Sequence, residues 1–134
     1  MEGAEKRAVC LLVVEDDPET RSTISSVVAR RFPDITVRVA ENGQVGLELC
    51  KEFRPVLVIT DINMPVMDGL RMIEEIRAVR EETRFIVMTG YSDRYHVENS
   101  SQLGISGFLV KPVDLRELFT ASEKCLKELR HPDS

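Results

Sequence analysis

Short apolar runs alternate with stretches of helical periodicity along most of the chain. Ala8 to Val14 predicts a first buried strand, and Pro18 suits the first turn of a helix in which Ile24, Val27, Val28 and Phe32 recur at helical spacing until Pro33 ends it. Thr36 to Ala40 predicts a short second strand. Asn42 and Gly43 then open a second helix, with Val45, Leu49 and Phe53 on its apolar face. Val56 to Thr60 is β-prone and almost wholly apolar, the pattern of a central strand buried on both faces, and the run stops at Asp61. Leu70, Ile73 and Ile76 mark a third helix, Phe85 to Thr89 a fourth strand, and Phe108 to Val110 a fifth. Between Asp93 and Leu103 a fourth helix is expected with a single good apolar anchor, Val97, so its packing should be loose. Asp114 with Glu117 three residues on resembles a capping box and announces the last helix, with Leu115, Leu118, Leu126 and Leu129 as its buried face.

Five strands alternating with five helices, linked by right-handed crossovers, predict an α/β fold: a doubly wound five-stranded parallel sheet covered on both faces. A strand order of 2-1-3-4-5 sets the first and third strands side by side. The length of 134 residues suits one domain spanning 1–134, with its core at about 9–129. A net charge of −5 argues against direct nucleic-acid binding, which relies on basic surface. The apolar run Ala8 to Val14 is too short to span a bilayer, and Glu2 and Glu5 interrupt any basic signal-peptide start, so a cytoplasmic location is expected. Cys10, Cys50 and Cys125 lack metal or redox spacing and read as reduced, mostly buried thiols.

Chemistry gathers at the predicted strand tips. Asp61 alone divides evenly between a turn-former and a functional group. Glu15, Asp16 and Asp17 follow the first strand directly, and the expected strand order brings Glu15 and Asp16 beside Asp61. Carboxylates 4 Å apart repel by about 4 kcal/mol in an intermediate dielectric, so either their pKa values rise or a cation binds. Hard oxygen donors without His or Cys favour Mg²⁺. The triplet by itself is equally well explained as acids at the positive end of a helix. Thr89 with Gly90 closes the fourth strand, and Lys111 before Pro112 closes the fifth. Singly, these are an ordinary strand residue and a solvated charge. Together, acids, a hydroxyl and a lysine on successive strand tips are the inventory for a metal-bound phosphoryl group.

The segments Leu11 to Asp17, Ile59 to Gly69, Val87 to Gly90 and Gly107 to Pro112 closely resemble the receiver domain of two-component response regulators, in order and in spacing, over about Val9 to Leu129. The resemblance implies a flavodoxin-like receiver fold and a phosphoprotein switch. Asp61 would accept a phosphoryl group from a phosphohistidine on a sensor histidine kinase or phosphotransfer protein. Asp16 would bind Mg²⁺ directly, Glu15 through water or as a weaker ligand, and Asn63 through its backbone carbonyl, with Mn²⁺ as a substitute. Thr89 and Lys111 would hold phosphoryl oxygens, and the Lys111–Pro112 bond would be cis. Phe108 matches the aromatic that turns inward when Thr89 is drawn to the phosphate, and Asn63 and Tyr91 occupy the positions that tune autodephosphorylation. The output would be read by an unidentified protein or domain, or by a second copy in a phosphorylation-dependent homodimer, on the surface of the fourth helix, fifth strand and last helix.

Two other readings are weaker. A phosphatase of the haloacid-dehalogenase kind needs an acid two residues after its nucleophile, where this chain has Asn63. A docking scaffold without phosphotransfer would show a gap among Asp16, Asp61, Thr89 and Lys111, and none is present. The expectation is therefore a switch with self-catalysed phosphotransfer and no enzymatic turnover.

Overall fold

The computed structural model describes residues 9–80, 82–90 and 103–130. In chain order the elements are β1 (Val9–Val14), α1 (Pro18–Arg31), β2 (Ile35–Ala40), α2 (Gly43–Phe53), β3 (Leu57–Asp61), α3 (Gly69–Val79), β4 (Arg84–Thr89), β5 (Gly107–Val110) and α4 (Leu115–Arg130). All neighbouring strands are parallel, in the order β2-β1-β3-β4-β5. The expected sheet is therefore present, with four helices among the described residues. The helix expected between Asp93 and Leu103 lies almost wholly outside the described residues. So do Ala8 and Tyr91, and nothing is described of the Leu129 side chain.

Strand alternation splits the core into two layers. Leu11, Val13, Ile59, Ile86 and Met88 point to the side that holds Ile24 and Val28 of α1 and Leu118, Cys125 and Leu126 of α4. Leu12, Val14, Val58, Phe85 and Val87 point the other way, onto Leu47 and Cys50 of α2 and Met72, Ile73 and Ile76 of α3. Each such aliphatic side chain, fully buried, contributes about 1.5–3 kcal/mol. The continuous apolar runs of β1, β3 and β4 follow from burial on both faces. The three thiols are free and buried, and burial pushes Cys50 up to about 12, which leaves it unreactive at neutral pH. No helix among the described residues is long and apolar enough to cross a membrane.

Two expectations need correction. On α2 the buried face is Gly43, Gly46, Leu47 and Cys50, while Val45, Leu49 and Phe53 are only partly buried. Glycine lets the helix lie close: a Cβ on Gly46 would come within 2.6 Å of Met72 Sδ. Phe53 instead sits under the Arg38 guanidinium, 3.4 Å from the ring centroid. Leu115, expected in the core, is 40% exposed, whereas Leu118, one turn on, is fully buried. Asp61 ends β3, at the C-terminal strand tip where it is expected, and pairs with Met88.

The loop after β3 is held by two close approaches. Gly69 N–H donates to Ile62 O at 2.8 Å, and Gly43 N–H donates to Met67 O at 2.9 Å. Between them Met67 N–H donates to Pro65 O at 2.7 Å, a γ-turn that forces Val66 to φ 71°, a strained value for a β-branched residue. A Cβ at residue 69 would lie 2.2 Å from Asp61 O, so only glycine fits there. Gly69→Ala is expected to cost about 2 kcal/mol or more, since backbone must move to admit the methyl group. An unchanged urea midpoint for that variant would contradict the close packing.

Candidate functional site

Parallel strands place their C-terminal ends along one edge, and there the chain gathers its polar side chains. Asp17 caps α1, its carboxylate accepting from Thr20 N–H at 2.8 Å and from the Thr20 hydroxyl at 2.7 Å. The hydroxyl bond, then the N–H bond, hold Asp17 below its ordinary pKa. With Asp17 so occupied, Glu15 and Asp16 remain to face the sheet edge. Glu15 N–H donates to Ala40 O at 3.0 Å, continuing the β1–β2 ladder, and Arg21 Nη1 donates to Glu15 O at 2.9 Å.

Glu15 is 1% exposed and Asp61 7%, whereas Asp16 faces solvent. Carboxylate oxygens of all three lie within 4.8 Å of one another. Lys111 spans the two buried acids: its Nζ donates to Asp61 Oδ2 at 3.0 Å and to Glu15 Oε1 at 3.3 Å. The remaining oxygens are held by backbone, Asp61 Oδ1 by Ile62 N–H at 2.7 Å and Glu15 Oε2 by Asp17 N–H at 3.1 Å. Burial raises the Glu15 pKa; the Asp17 N–H opposes this, the Asp61 charge adds to it, and Lys111 only partly offsets it. For Lys111, burial alone would lower the pKa, but the bond and charge of Asp61, followed by Glu15, outweigh it and raise the value. One ammonium therefore stands among three carboxylates. The excess of negative charge on hard oxygen donors, with no nitrogen or sulfur donor among them, fits a divalent cation such as Mg²⁺.

Thr89 ends β4 fully buried, with its hydroxyl donating to Gly90 O at 3.1 Å. Lys111 N–H donates to Thr89 O at 2.8 Å, which ties the tips of β4 and β5 together. The Lys111–Pro112 peptide bond is cis, as expected. Asn63 is exposed just beyond Asp61. Phe108 is partly buried against the α2–α3 side of the core and borders a groove of about 630 Å³ with Arg116, Thr120 and Lys124. Five anticipated residues, Glu15, Asp16, Asp61, Thr89 and Lys111, thus share the strand-end edge. Tyr91 lies outside the described residues.

A family model described as the response regulator receiver domain matches residues 11–123. The chain belongs to this family. It is 31% identical over 127 residues to the regulatory protein AtoC of Escherichia coli (strain K12), covering 90% of this chain and 27% of that protein. It is 32% identical over 116 residues to the chemotaxis protein CheY of Bacillus subtilis (strain 168), covering 87% of this chain and 96% of that one. The REC domain of AraT, a response regulator from Geobacillus stearothermophilus, shares the fold with a TM-score of 0.86 at 26% identity, covering 95% of this chain and 99% of that chain. The flavodoxin-like receiver fold is thereby shown, and the receiver spans half or less of the length of several curated relatives, AtoC among them.

Three supports of the site were not anticipated from sequence: Arg21 on the Glu15 carbonyl, the Ile62 N–H on Asp61, and Gly69 pressed against the Asp61 carbonyl. Only Gly69 carries a sequence signal, the Asp-Gly pair that closes the loop. The other two depend on tertiary placement.

The raised Glu15 pKa has a definite sign in stability. A carboxyl whose folded value exceeds its ordinary 4.5 favours the fold while protonated, and that contribution is lost as pH rises from 4.5 through the folded value. In metal-free buffer Glu15→Gln should therefore unfold at a higher temperature than the parent at pH 7 and show a flatter decline above pH 4.5. Thermal melts across pH 4 to 8 check this; a less stable Gln variant at pH 7 would contradict it.

Proposed function

We propose that this receiver is a Mg²⁺-dependent phosphoryl acceptor, with Asp61 as the accepting residue. The observation that carries the proposal is the convergence of Glu15, Asp16 and Asp61 within 4.8 Å around one lysine at the strand-end edge. Receiver domains act as phospho-acceptor switches in two-component systems, with histidine kinases and output domains as partners. The donor here is a phosphohistidine. An Asp61 oxygen attacks phosphorus as the nitrogen–phosphorus bond breaks, and an acyl phosphate results.

Such a transfer needs little covalent help from the protein beyond positioning and charge neutralisation. The Ile62 N–H holds one Asp61 oxygen and Lys111 orients the other. Asp16, Asp61 and the Asn63 carbonyl would hold the cation. Glu15, 1% exposed, is assigned an outer role, through water or as a weaker ligand. Bound Mg²⁺ or Mn²⁺ supplies positive charge to the transferring oxygens.

The consequence of phosphorylation is conformational. The group adds nearly two negative charges at the tip of β3. The Thr89 hydroxyl, now bonded to Gly90 O, must turn to reach it, and Phe108 follows inward. The changed surface comprises the helix expected between Asp93 and Leu103, β5 and α4, and an output protein, an attached domain or a second copy reads it. Asn63 and Tyr91 set how readily water attacks the acyl phosphate. The protein works in the cytoplasm as a switch and not as a turnover enzyme, since Asn63 stands where a phosphatase of similar architecture needs a general acid.

Asp61→Asn should abolish Mg²⁺-dependent labelling by acetyl phosphate, read by intact-protein mass spectrometry. Undiminished labelling of that variant would refute the assignment. Saturating Mg²⁺ should raise the unfolding temperature of the parent by mass action, and Asp16→Ala should erase that gain. An equal response in both proteins would place the metal elsewhere.

A further inference from the structure

The end of the sheet opposite the acceptor carries a second constellation, centred on Arg77 of α3. Its Nη1 donates to Thr83 O at 2.9 Å, its Nε to Leu103 O at 3.1 Å and its Nη2 to Gly104 O at 2.9 Å. The guanidinium also lies over the Phe85 ring, 4.9 Å from the centroid. The three carbonyls come from two connections: Thr83 precedes β4, and Leu103 and Gly104 precede β5. Only a planar, permanently charged fork satisfies acceptors in several directions while covering an aromatic face; an ammonium is a point charge on a flexible stem.

Gly104 is fitted to this contact. Its φ of +67° suits glycine, and a Cβ there would stand 3.1 Å from Arg77 Nη2. Just beyond, Ser106 N–H donates to Phe85 O at 2.8 Å, and Ile86 pairs with Gly107 to start the β4–β5 ladder. Arg77 therefore fixes the point where the chain re-enters the sheet. The same connection leaves the sheet at Thr89 and Gly90, beside Asp61, so its two ends lie on opposite edges.

We propose that Arg77 is the anchor of the switch. It holds the β5 entry stationary, so that rearrangement at the Thr89 end reaches β5 and is not lost by release of its entry. The described partners of Arg77 lie at the sheet end away from the acidic cluster. This inference rests on the acceptor reading for its phosphorylated half and on geometry for the rest.

The test compares the parent with Arg77→Lys and Gly104→Ala, which attack the same contact from its two sides. Amide hydrogen exchange of peptides covering residues 103–110, and of α1 and β1 as reference, is followed with and without acetyl phosphate and Mg²⁺. In the parent, residues 103–107 should keep the same protection in both states. In both variants exchange there should rise at least tenfold, further on phosphorylation, with α1 and β1 unchanged and with Asp61 labelled within twofold of the parent rate. Parent-like protection in the variants, release of residues 103–107 in the phosphorylated parent, or an equal rise across α1 and β1 would each overturn the anchor. If no protein is labelled, the acceptor reading fails, and the unphosphorylated comparison still decides whether Arg77 anchors the entry.

Discussion

One ammonium shared by two buried carboxylates is the interaction on which the site depends. Glu15 and Asp61 sit at adjacent strand ends because β1 and β3 pair in register, and an unrelieved pair of charges at 4 Å would cost about 4 kcal/mol in an intermediate dielectric. Lys111 reaches both from β5, at 3.0 Å and 3.3 Å. Its single charge cannot balance three acids, and burial first, with the Asp61 charge adding to it, raises the Glu15 pKa. A site left short of positive charge, half-buried and open toward Asp16, is suited to a divalent cation and a phosphoryl group in sequence.

The scaffold keeps that imbalance from collapsing. Backbone donors from Asp17 and Ile62 take the carboxylate oxygens that Lys111 does not, so neither acid is free to swing away from its neighbour. Arg21 secures the backbone of Glu15, and Gly69 lets the loop press against the carbonyl of Asp61. In the proposed transfer such rigid support would matter more than any single contact, because misplacement of a reacting oxygen lowers a rate steeply. Away from this edge, Arg77 donates to Leu103 and Gly104 at the entry to β5, while the other end of the β4–β5 connection lies beside Asp61.

Much of this was legible in the residues. Strands buried on both faces leave continuous apolar runs, so Val56 to Thr60 and Phe85 to Thr89 were placed to within a residue, and the acids, Thr89 and Lys111 fell at their tips. The α2 face was misread because glycine has no side chain for a hydropathy pattern to register, yet Gly43 and Gly46 lie buried in close contact with the loop after β3 and with Met72. Leu115 was misread because periodicity marks an apolar stripe and not how far each turn of it is covered. Arg21 and Arg77 look like ordinary surface charges in sequence; their roles come from carbonyls six to twenty-seven positions away.

If Lys111 stands in for part of the cation's charge, then it competes with that cation for Glu15 and Asp61. Mg²⁺ affinity, measured by titration calorimetry on the parent and on Lys111→Met, tests this directly. The account predicts tighter binding to the variant, because its acids lack their only close ammonium among the described residues. Equal or weaker Mg²⁺ binding to Lys111→Met would contradict it.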